Sequence, residues 1–359
     1  MHQPQYRRAS TGAYQLPWTY LHAIKDYADM AWHLERNAGA RAVVNLTPVL
    51  LEQIEDYAAQ FARRSYRDRL LQTLADPSSV AADSAPQVAG AFFRANAERM
   101  INRYPPYQRL RDDFEAMRSQ NGGPALDPQF LADLAVWYHL AWLGESIGRE
   151  DARAARLRDK GAGFDAADRR ALLDLVGEVV QGIIPRYAML ASSGRVELST
   201  SPYTHPILPL LIDFNAARES VPDAVLPASP RYPGGAERAV AQVRAAIASH
   251  ARRFGSKPAG CWPSEGAVST PAMSALADNG FAWTASCETV LNRTLGASGA
   301  PAKPRPDFLY QPYLFDGGSR AIAMFFRDVR LSDLIGFRYA DWHADDAVAN
   351  FVGELDGIC

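Results

Sequence analysis

Two carboxylates, Glu265 and Asp328, stand where predicted strands end, next to aromatic or basic residues. Glu265 follows the turn Trp262-Pro-Ser, and Asp328 follows an apolar run at residues 321–326 and Arg327. Enzymes with α/β folds place their reactive groups at such strand ends. The pair suits cleavage of a glycosidic bond, in which one carboxylate is nucleophile or base and a protonated one delivers its proton to the leaving oxygen. Each also has a plainer interpretation, as a loop glutamate and as a helix cap.

Other side chains of the same polar clusters fit a sugar substrate. A sugar ring presents apolar C–H faces, so we expect Trp262 to stack on one of them, while His205, in the segment 194–206, binds hydroxyl groups. Glu197 and Asp333 stand in these clusters and are further candidates for substrate contacts. In isolation, His205 before a proline is more typical of a structural histidine, and Asp333 is equally well explained as a capping residue.

Short apolar runs that end in these clusters indicate the strands of a mostly parallel sheet. They alternate with helical patterns, notably at 236–254 and 271–279, which is the arrangement of βα units in a barrel or a doubly wound sheet. An Asp316-Gly-Gly motif between the last two runs predicts a hairpin and one antiparallel pair. The predicted strands are Arg41–Leu46, Arg195–Thr200, Gly260–Trp262, Ala282–Ser286, Leu309–Phe315 and Ala321–Phe326.

Helical patterns dominate the first half of the chain. Apolar residues recur at helical spacing in Tyr20–Leu34, and a helix-rich insertion is predicted from about residue 62 to residue 190. Within it, Asn121–Pro124 is predicted to be a loop and Asp127 to cap the next helix. That helix is apolar almost all round, which predicts that it is buried and that residues 137–142 are core rather than sugar contacts.

Composition limits the classes of protein to which the chain can belong. Its 15 Phe, 15 Tyr and 7 Trp in 359 residues exclude a disordered chain. A balance of 38 Lys and Arg against 40 Asp and Glu argues against a dedicated nucleic-acid binder and suits an uncharged polysaccharide. Cys261, Cys287 and Cys359 have no CxxC spacing, so neither a disulfide framework nor a zinc site is predicted. Without an apolar leader or a membrane-length apolar run, a cytoplasmic protein is predicted.

At these residues the sequence resembles glycoside hydrolase family 57, in particular its α-amylase and amylopullulanase-like members. The resemblance covers nearly the whole chain and rests on several segments that follow the family's order. The segments are His2-Gln3-Pro4, the stretch VELSTSPYTHPILPL that ends at Leu210, WPSEG at Trp262–Gly266, and RDVRLSD at Arg327–Asp333.

The resemblance implies an α/β fold, a (β/α)7-type distorted barrel with the helical insertion, forming a single catalytic domain over residues 1–359. It implies a retaining enzyme that acts on an α-glucan or a maltooligosaccharide by double displacement through a covalent glycosyl-enzyme. Glu265 would be the nucleophile and Asp328 the general acid/base. It also implies that His2 and His205 line the sugar subsite, and that the chemistry needs no metal or other cofactor.

The sequence departs from the family pattern at both ends. The family's first segment usually reads HxHQP, whereas this chain begins at Met1 with His2 next, and it ends soon after a helix predicted at 344–355. We therefore expect a chain shortened at both ends, without the first barrel strand and without the family's C-terminal helical bundle.

Three alternative functions remain open on the residues alone. The same glycosyl-enzyme serves an α-glucan transferase or branching enzyme as well as a hydrolase. Ser201-Pro-Tyr-Thr-His205-Pro approaches the HxxxHP pattern of metal-dependent polysaccharide deacetylases, but serine stands in place of the first ligand histidine. A carbohydrate-binding barrel without turnover is the alternative that is not an enzyme.

Overall fold

The computed structural model describes residues 1–119, 126–229, 231–299, 304–317 and 319–358. The chain forms two compact units, one of Met1–Ala42 with Val49–Glu197 and the other of Val43–Pro48 with Leu198–Cys359. The predicted loop at 121–124 and Cys359 lie outside the described residues. A single catalytic domain with a helix-rich insertion at about 62–190 stays a prediction.

Helices make up most of the first unit, because its sequence repeats apolar residues at helical spacing. They are α1 (Trp18–His22), α2 (Ala28–Arg36), α3 (Pro48–Arg63), α4 (Arg69–Ala75), α5 (Ala85–Ala91), α6 (Pro105–Arg118), α7 (Pro128–Trp142), α8 (Glu145–Glu150), α9 (Ala152–Lys160) and α10 (Ala166–Ser192). A π-helical turn at Ala23–Tyr27 joins α1 to α2, so the helix predicted at Tyr20–Leu34 is confirmed. Shorter helical turns lie at Pro77–Ser79 and Ala97–Ile101.

The helix α7 is buried on all sides. Asp127 caps it as predicted, since its Oδ1 accepts a hydrogen bond of 2.7 Å from the Phe130 N–H. Every residue from Leu131 to Trp142 is buried. His139 is fully enclosed and is hydrogen-bonded to Tyr20 and to the Ala135 carbonyl. The prediction that residues 137–142 are core rather than sugar contacts is confirmed.

The strands are β1 (Ala42–Asn45), β2 (Val196–Ser199), β3 (Gly260–Cys261), β4 (Trp283–Cys287), β5 (Tyr313–Phe315) and β6 (Ile322–Arg327). The hydrogen-bonded orders are β1-β2 and β3-β4-β6-β5, and an isolated parallel bridge between Thr200 and Cys261 extends β2 alongside β3. β3, β4 and β6 are parallel, so their carboxyl ends share one edge. β5 is antiparallel to β6, which confirms the antiparallel pair predicted from the Asp316 motif.

The helices of the second unit lie between and after these strands. They are α11 (Leu208–Ile212), α12 (Ala216–Ser220), α13 (Gly235–Phe254), α14 (Thr270–Asp278), α15 (Glu288–Ala297), α16 (Arg305–Leu309), α17 (Val329–Asp333) and α18 (Ala344–Asp356), with short helical turns at Ser264–Gly266, Leu334–Arg338 and Tyr339–Asp341. Apolar side chains of α11, α13 and α14 form one core with Cys261 of β3 and with Ile322 and Met324 of β6. This core fixes the strands whose ends carry the candidate carboxylates.

One predicted strand is wrong over its first part. Leu309 ends α16 instead of opening a strand, and only Tyr313–Phe315 pairs with β6. Pro306 stands in the first turn of α16, where a proline favours a helix because its fixed φ is already helical. The α/β class is observed, while the described strands form small open sheets. No helix in the described ranges is long and apolar enough to cross a membrane.

Candidate active site

Glu265 lies in a tight turn directly after β3. The turn Ser264–Gly266 is a single 3₁₀ turn in which Glu265 has φ 57° and ψ 16°, the left-handed region. The turn is closed by the Gly266 N–H, which donates to the Pro263 carbonyl at 2.8 Å. It is tied to the end of β4 by Ser286, whose hydroxyl donates to the Gly266 carbonyl at 2.6 Å. The Glu265 side chain itself is 71% exposed, as a group that meets substrate must be.

His205 lies in the loop after β2 and also has a left-handed backbone, with φ 62°. Gln242 of α13 holds this loop, because its Oε1 accepts hydrogen bonds from the Thr204 N–H at 2.8 Å and from the Thr204 hydroxyl at 3.1 Å. The His205 side chain is 8% exposed. The helix α13 therefore sets the position of an imidazole that the local sequence alone leaves undetermined.

The two left-handed residues face each other. His205 Nε2 lies 3.7 Å from Glu265 Oε1, close enough for an ion pair when the imidazole is protonated. Outside glycine, the only other described residue with positive φ is Arg64. A left-handed backbone costs a residue other than glycine roughly 1–3 kcal/mol and is often found at functional sites. Two strained residues in contact at strand ends favour a functional origin for the pair.

Asp328 follows β6, on the same edge of the sheet as Glu265. Its Oδ1 accepts a 2.9 Å hydrogen bond from the Leu331 N–H, so Asp328 caps α17, as its plainer interpretation predicts. The same oxygen lies 2.9 Å from Nη2 of Arg305. Its Oδ2 accepts a hydrogen bond of 2.5 Å from the Tyr310 hydroxyl. The Asp328 side chain is 7% exposed, so these contacts replace water around most of the carboxylate.

These contacts determine the charge of Asp328. Burial alone would raise the pKa of the carboxyl, but the hydrogen bonds from Arg305, Tyr310 and the Leu331 N–H outweigh it and lower the pKa to about 2. In the arrangement observed, Asp328 is therefore ionised at neutral pH. A carboxyl that protonates a leaving oxygen must first gain a proton.

The profile of glycosyl hydrolase family 57 matches residues 1–359, the full length of the chain. The chain belongs to glycosyl hydrolase family 57. No curated protein matches it significantly.

Three solved structures that resemble this family 57 chain are 14–17% identical to it. They are an α-amylase from Thermotoga maritima (14% identity, covering 93% of this chain and 45% of that chain, TM-score 0.46), a branching enzyme from Thermococcus kodakaraensis crystallised with glucose (17%, 94% and 48%, 0.48) and a branching enzyme from Pyrococcus horikoshii (17%, 92% and 46%, 0.44). This chain thus spans less than half the length of each of the three.

The other predicted site residues of the family 57 chain are Trp262, Asp333, Glu197 and His2. Trp262 lies at the start of the Glu265 turn, and the Arg327 guanidinium lies 5.7 Å from its ring centre. Asp333 is exposed at the end of α17 and makes no capping hydrogen bond there. Glu197 points to solvent from β2, between the buried Val196 and Leu198. Glu197 and the exposed His2 belong to the first unit.

Three residues of this edge were missed by sequence reasoning: Glu288, Arg305 and Tyr310. Glu288 is the first residue of α15, directly after β4, so it occupies the strand-end position that singled out Glu265 and Asp328. That position was a usable signal for Glu288. For Arg305 and Tyr310 we find no signal, since the contacts that unite them with Asp328 cross 23 and 18 residues of sequence.

Proposed function

We propose that the chain is a retaining, α-glucan-active glycoside hydrolase, with Glu265 as nucleophile and Asp328 as general acid/base. The observation that carries the proposal is the contact between the side chains of Glu265 and His205, two residues with left-handed backbones at the ends of neighbouring strands of a family 57 chain. His205 then both orients the nucleophile and borders the sugar subsite. Trp262, Asp333, His2 and Glu197 are the further proposed substrate contacts.

The strand order supports the pairing of these two carboxylates. β4 lies between β3 and β6, and neighbouring strands are about 4.8 Å apart, so the strands that lead to Glu265 and Asp328 are separated by roughly 10 Å. Side chains that lean toward β4 from both sides can approach the separation of about 5–5.5 Å that retaining glycosidases use. The family's (β/α)7-type barrel is the architecture that we propose around this edge.

The proposed reaction has two balanced steps. The Glu265 carboxylate forms a bond to the anomeric carbon as the glycosidic C–O bond breaks, and the leaving oxygen takes the proton of Asp328. In the second step an acceptor hydroxyl loses its proton to the Asp328 carboxylate and forms a bond to the anomeric carbon, while the ester bond to Glu265 breaks. Water as the acceptor gives hydrolysis, and a sugar hydroxyl gives transfer. Both steps invert the anomeric carbon, so the configuration is retained overall.

Product analysis on maltooligosaccharides and amylopectin tests the proposal. We expect shorter oligosaccharides whose newly formed reducing ends are initially α by proton NMR. We expect Glu265→Gln to lower turnover at least about a thousandfold, since the nucleophile is lost. Glu237→Gln, at an exposed glutamate near the start of α13, is the matched control and should leave turnover unchanged.

Three results would contradict parts of this proposal. Undiminished turnover in Glu265→Gln would remove that residue from the mechanism, and initial β products would exclude retention. Longer or branched products in place of shorter ones would identify a transferase, for which the same intermediate serves.

A further inference from the structure

A single guanidinium is shared by two carboxylates at the edge that carries the proposed site. Arg305 of α16 donates from Nε to Glu288 Oε1 at 2.5 Å and from Nη2 to Glu288 Oε2 at 2.6 Å. The same Nη2 lies 2.9 Å from Asp328 Oδ1. The side chains of Glu288 and Asp328 are only 14% and 7% exposed. Such two-pronged pairing fixes an arginine more firmly than a single contact does.

Tyr310 completes the network by forming hydrogen bonds with both Arg305 and Asp328. Its hydroxyl accepts a hydrogen bond of 3.0 Å from Arg305 Nη1 and donates to Asp328 Oδ2 at 2.5 Å. Both oxygens of Asp328 therefore accept hydrogen bonds, from Arg305 and the Leu331 N–H on one side and from Tyr310 on the other. A protonated carboxyl needs an acceptor for its O–H, which the Arg305 guanidinium and the Leu331 N–H cannot supply, and the Tyr310 hydroxyl can accept it only by giving up its own bond to Asp328.

We propose that Arg305, anchored on Glu288, is a positioning residue that fixes Asp328 as a carboxylate and withdraws from it when Asp328 takes up a proton for the first chemical step. This inference rests on the function proposed above. Glu288 anchors the guanidinium when it leaves Asp328, since the contact of Nη2 with Asp328 can open while both hydrogen bonds to Glu288 persist. In the second step Asp328 starts as an anion, the state that the observed network favours.

The charged and titratable groups around Asp328 support this assignment. Arg305 and Tyr310 contact it directly, and Glu288 reaches it through Arg305. Arg327, its neighbour on β6, lies over Trp262. Cys287 at the end of β4 is the register partner of Arg327. The low pKa of Asp328, about 2, agrees with a carboxylate held by a cation.

The decisive measurement is the titration of the Asp328 carboxyl in the full chain, by carbon NMR of protein labelled at the aspartate carboxyl and assigned with Asp328→Asn. We expect Arg305→Met to raise the midpoint by at least about one pH unit, since an adjacent cation lowers such a pKa by about 1–3 units. Arg305→Lys keeps a charge without the planar fork and should shift the midpoint less. Arg293→Met is the matched control, because Arg293 on α15 is exposed and donates to the Ser220 carbonyl instead of to Asp328.

Two further readouts separate this role from a merely structural one. Tyr310→Phe removes one hydrogen bond to Asp328 and should raise the midpoint in the same direction, which keeps the test decisive if Arg305→Met does not fold. In active protein the alkaline limb of kcat/KM on maltooligosaccharides should move up with the NMR midpoint, because that limb reports loss of the acid's proton.

The possible outcomes are distinct. A midpoint in both Arg305→Met and Arg305→Lys equal to that of the unaltered protein would overturn the inference. A uniform fall in rate with an unchanged pH profile would reduce Arg305 to a structural residue. An unaltered protein that turns over no α-glucan would refute the proposed function, and the titration would still decide whether Arg305 sets the charge of Asp328.

Discussion

Asp68 gives the first unit a dependence of stability on pH that runs opposite to that of most carboxylates. It caps α4, with Oδ1 accepting from the Leu70 N–H at 2.9 Å, and Oδ2 accepts from the Tyr57 hydroxyl at 2.9 Å. Its complete burial nevertheless dominates and raises the pKa from 3.8 to about 6. The folded state therefore binds this proton more tightly than the unfolded state, and the resulting stabilisation is present below pH 3.8 and is lost as pH rises through 6.

The size of the effect follows from the two pKa values. Each unit of difference corresponds to about 1.4 kcal/mol, so a rise from 3.8 to about 6 amounts to about 3 kcal/mol at most. On acidification from pH 7 to pH 4 the unaltered protein gains most of this stabilisation, roughly 2 kcal/mol or slightly more. Asp68→Asn keeps one oxygen acceptor for the cap and presents its NH2 group to the Tyr57 hydroxyl oxygen, and it cannot bind the proton. The variant should therefore lose roughly 2 kcal/mol more stability than the unaltered protein on acidification from pH 7 to pH 4.

Urea unfolding followed by far-ultraviolet circular dichroism at the two pH values measures this difference. The quantity to compare is the change in unfolding free energy between the two pH values, because cap and packing effects of the substitution cancel in it. Asp83→Asn, at an exposed aspartate in the segment between α4 and α5, serves as the control and should follow the unaltered protein. If Asp68→Asn also followed the unaltered protein, Asp68 would not carry its proton near pH 6, and burial would not dominate its hydrogen bonds.

Two further perturbations have expected outcomes. His139 accepts a hydrogen bond from the Tyr20 hydroxyl at 2.9 Å and donates one to the Ala135 carbonyl at 2.7 Å. Burial lowers the pKa of its imidazole from 6.5 to about 4. Its contribution to folding stability is therefore present above pH 6.5 and is lost as pH falls through 4. On acidification from pH 7 to pH 4, the unfolding free energy of His139→Gln should therefore rise by roughly 3 kcal/mol relative to that of the unaltered protein in the same urea assay. An equal change in both proteins would contradict the lowered pKa of His139. Gly260→Ala places a Cβ 1.9 Å from the Trp283 ring, so thermal unfolding should show a loss of about 1–3 kcal/mol or more. Gly296→Ala, whose Cβ would meet no atom of the described residues within 4 Å, should show no loss.

Local patterns predicted the elements well because each pattern has a local physical cause. Helical spacing of apolar residues located the helix at Tyr20–Leu34, and the side chain of Asp127 located the start of α7 through its own hydrogen bond. The rule that reactive groups follow parallel strands located Glu265 and Asp328 at one edge of the sheet, where both lie. The failure at Leu309 also has a local cause, since the run is apolar enough for a strand while Pro306 favours a helix turn.

Contacts between distant segments were beyond the reach of those patterns. Arg305 and Glu288 are separated by 17 residues, and their pairing depends on where α15 ends and α16 begins. The sequence pattern of a carboxylate at a strand end is the same whether water or a guanidinium surrounds that carboxylate in the folded protein. The sequence therefore located Asp328 as a candidate acid/base, and only the three-dimensional contacts reveal that its resting state is the anion.

The orientation of Glu265, the proposed nucleophile, depends on residues that take no part in the proposed chemistry. Glu265 and His205 both hold a left-handed backbone, which L-amino acids adopt at a cost unless surrounding contacts impose it. Ser286 imposes it on the Glu265 turn through the Gly266 carbonyl, and Gln242 imposes it on the His205 loop through Thr204. The end of β4 and the helix α13 thereby set the 3.7 Å contact between the two side chains. The geometry proposed for the reaction thus depends on contacts with the sheet and the helix as well as on the two turns themselves.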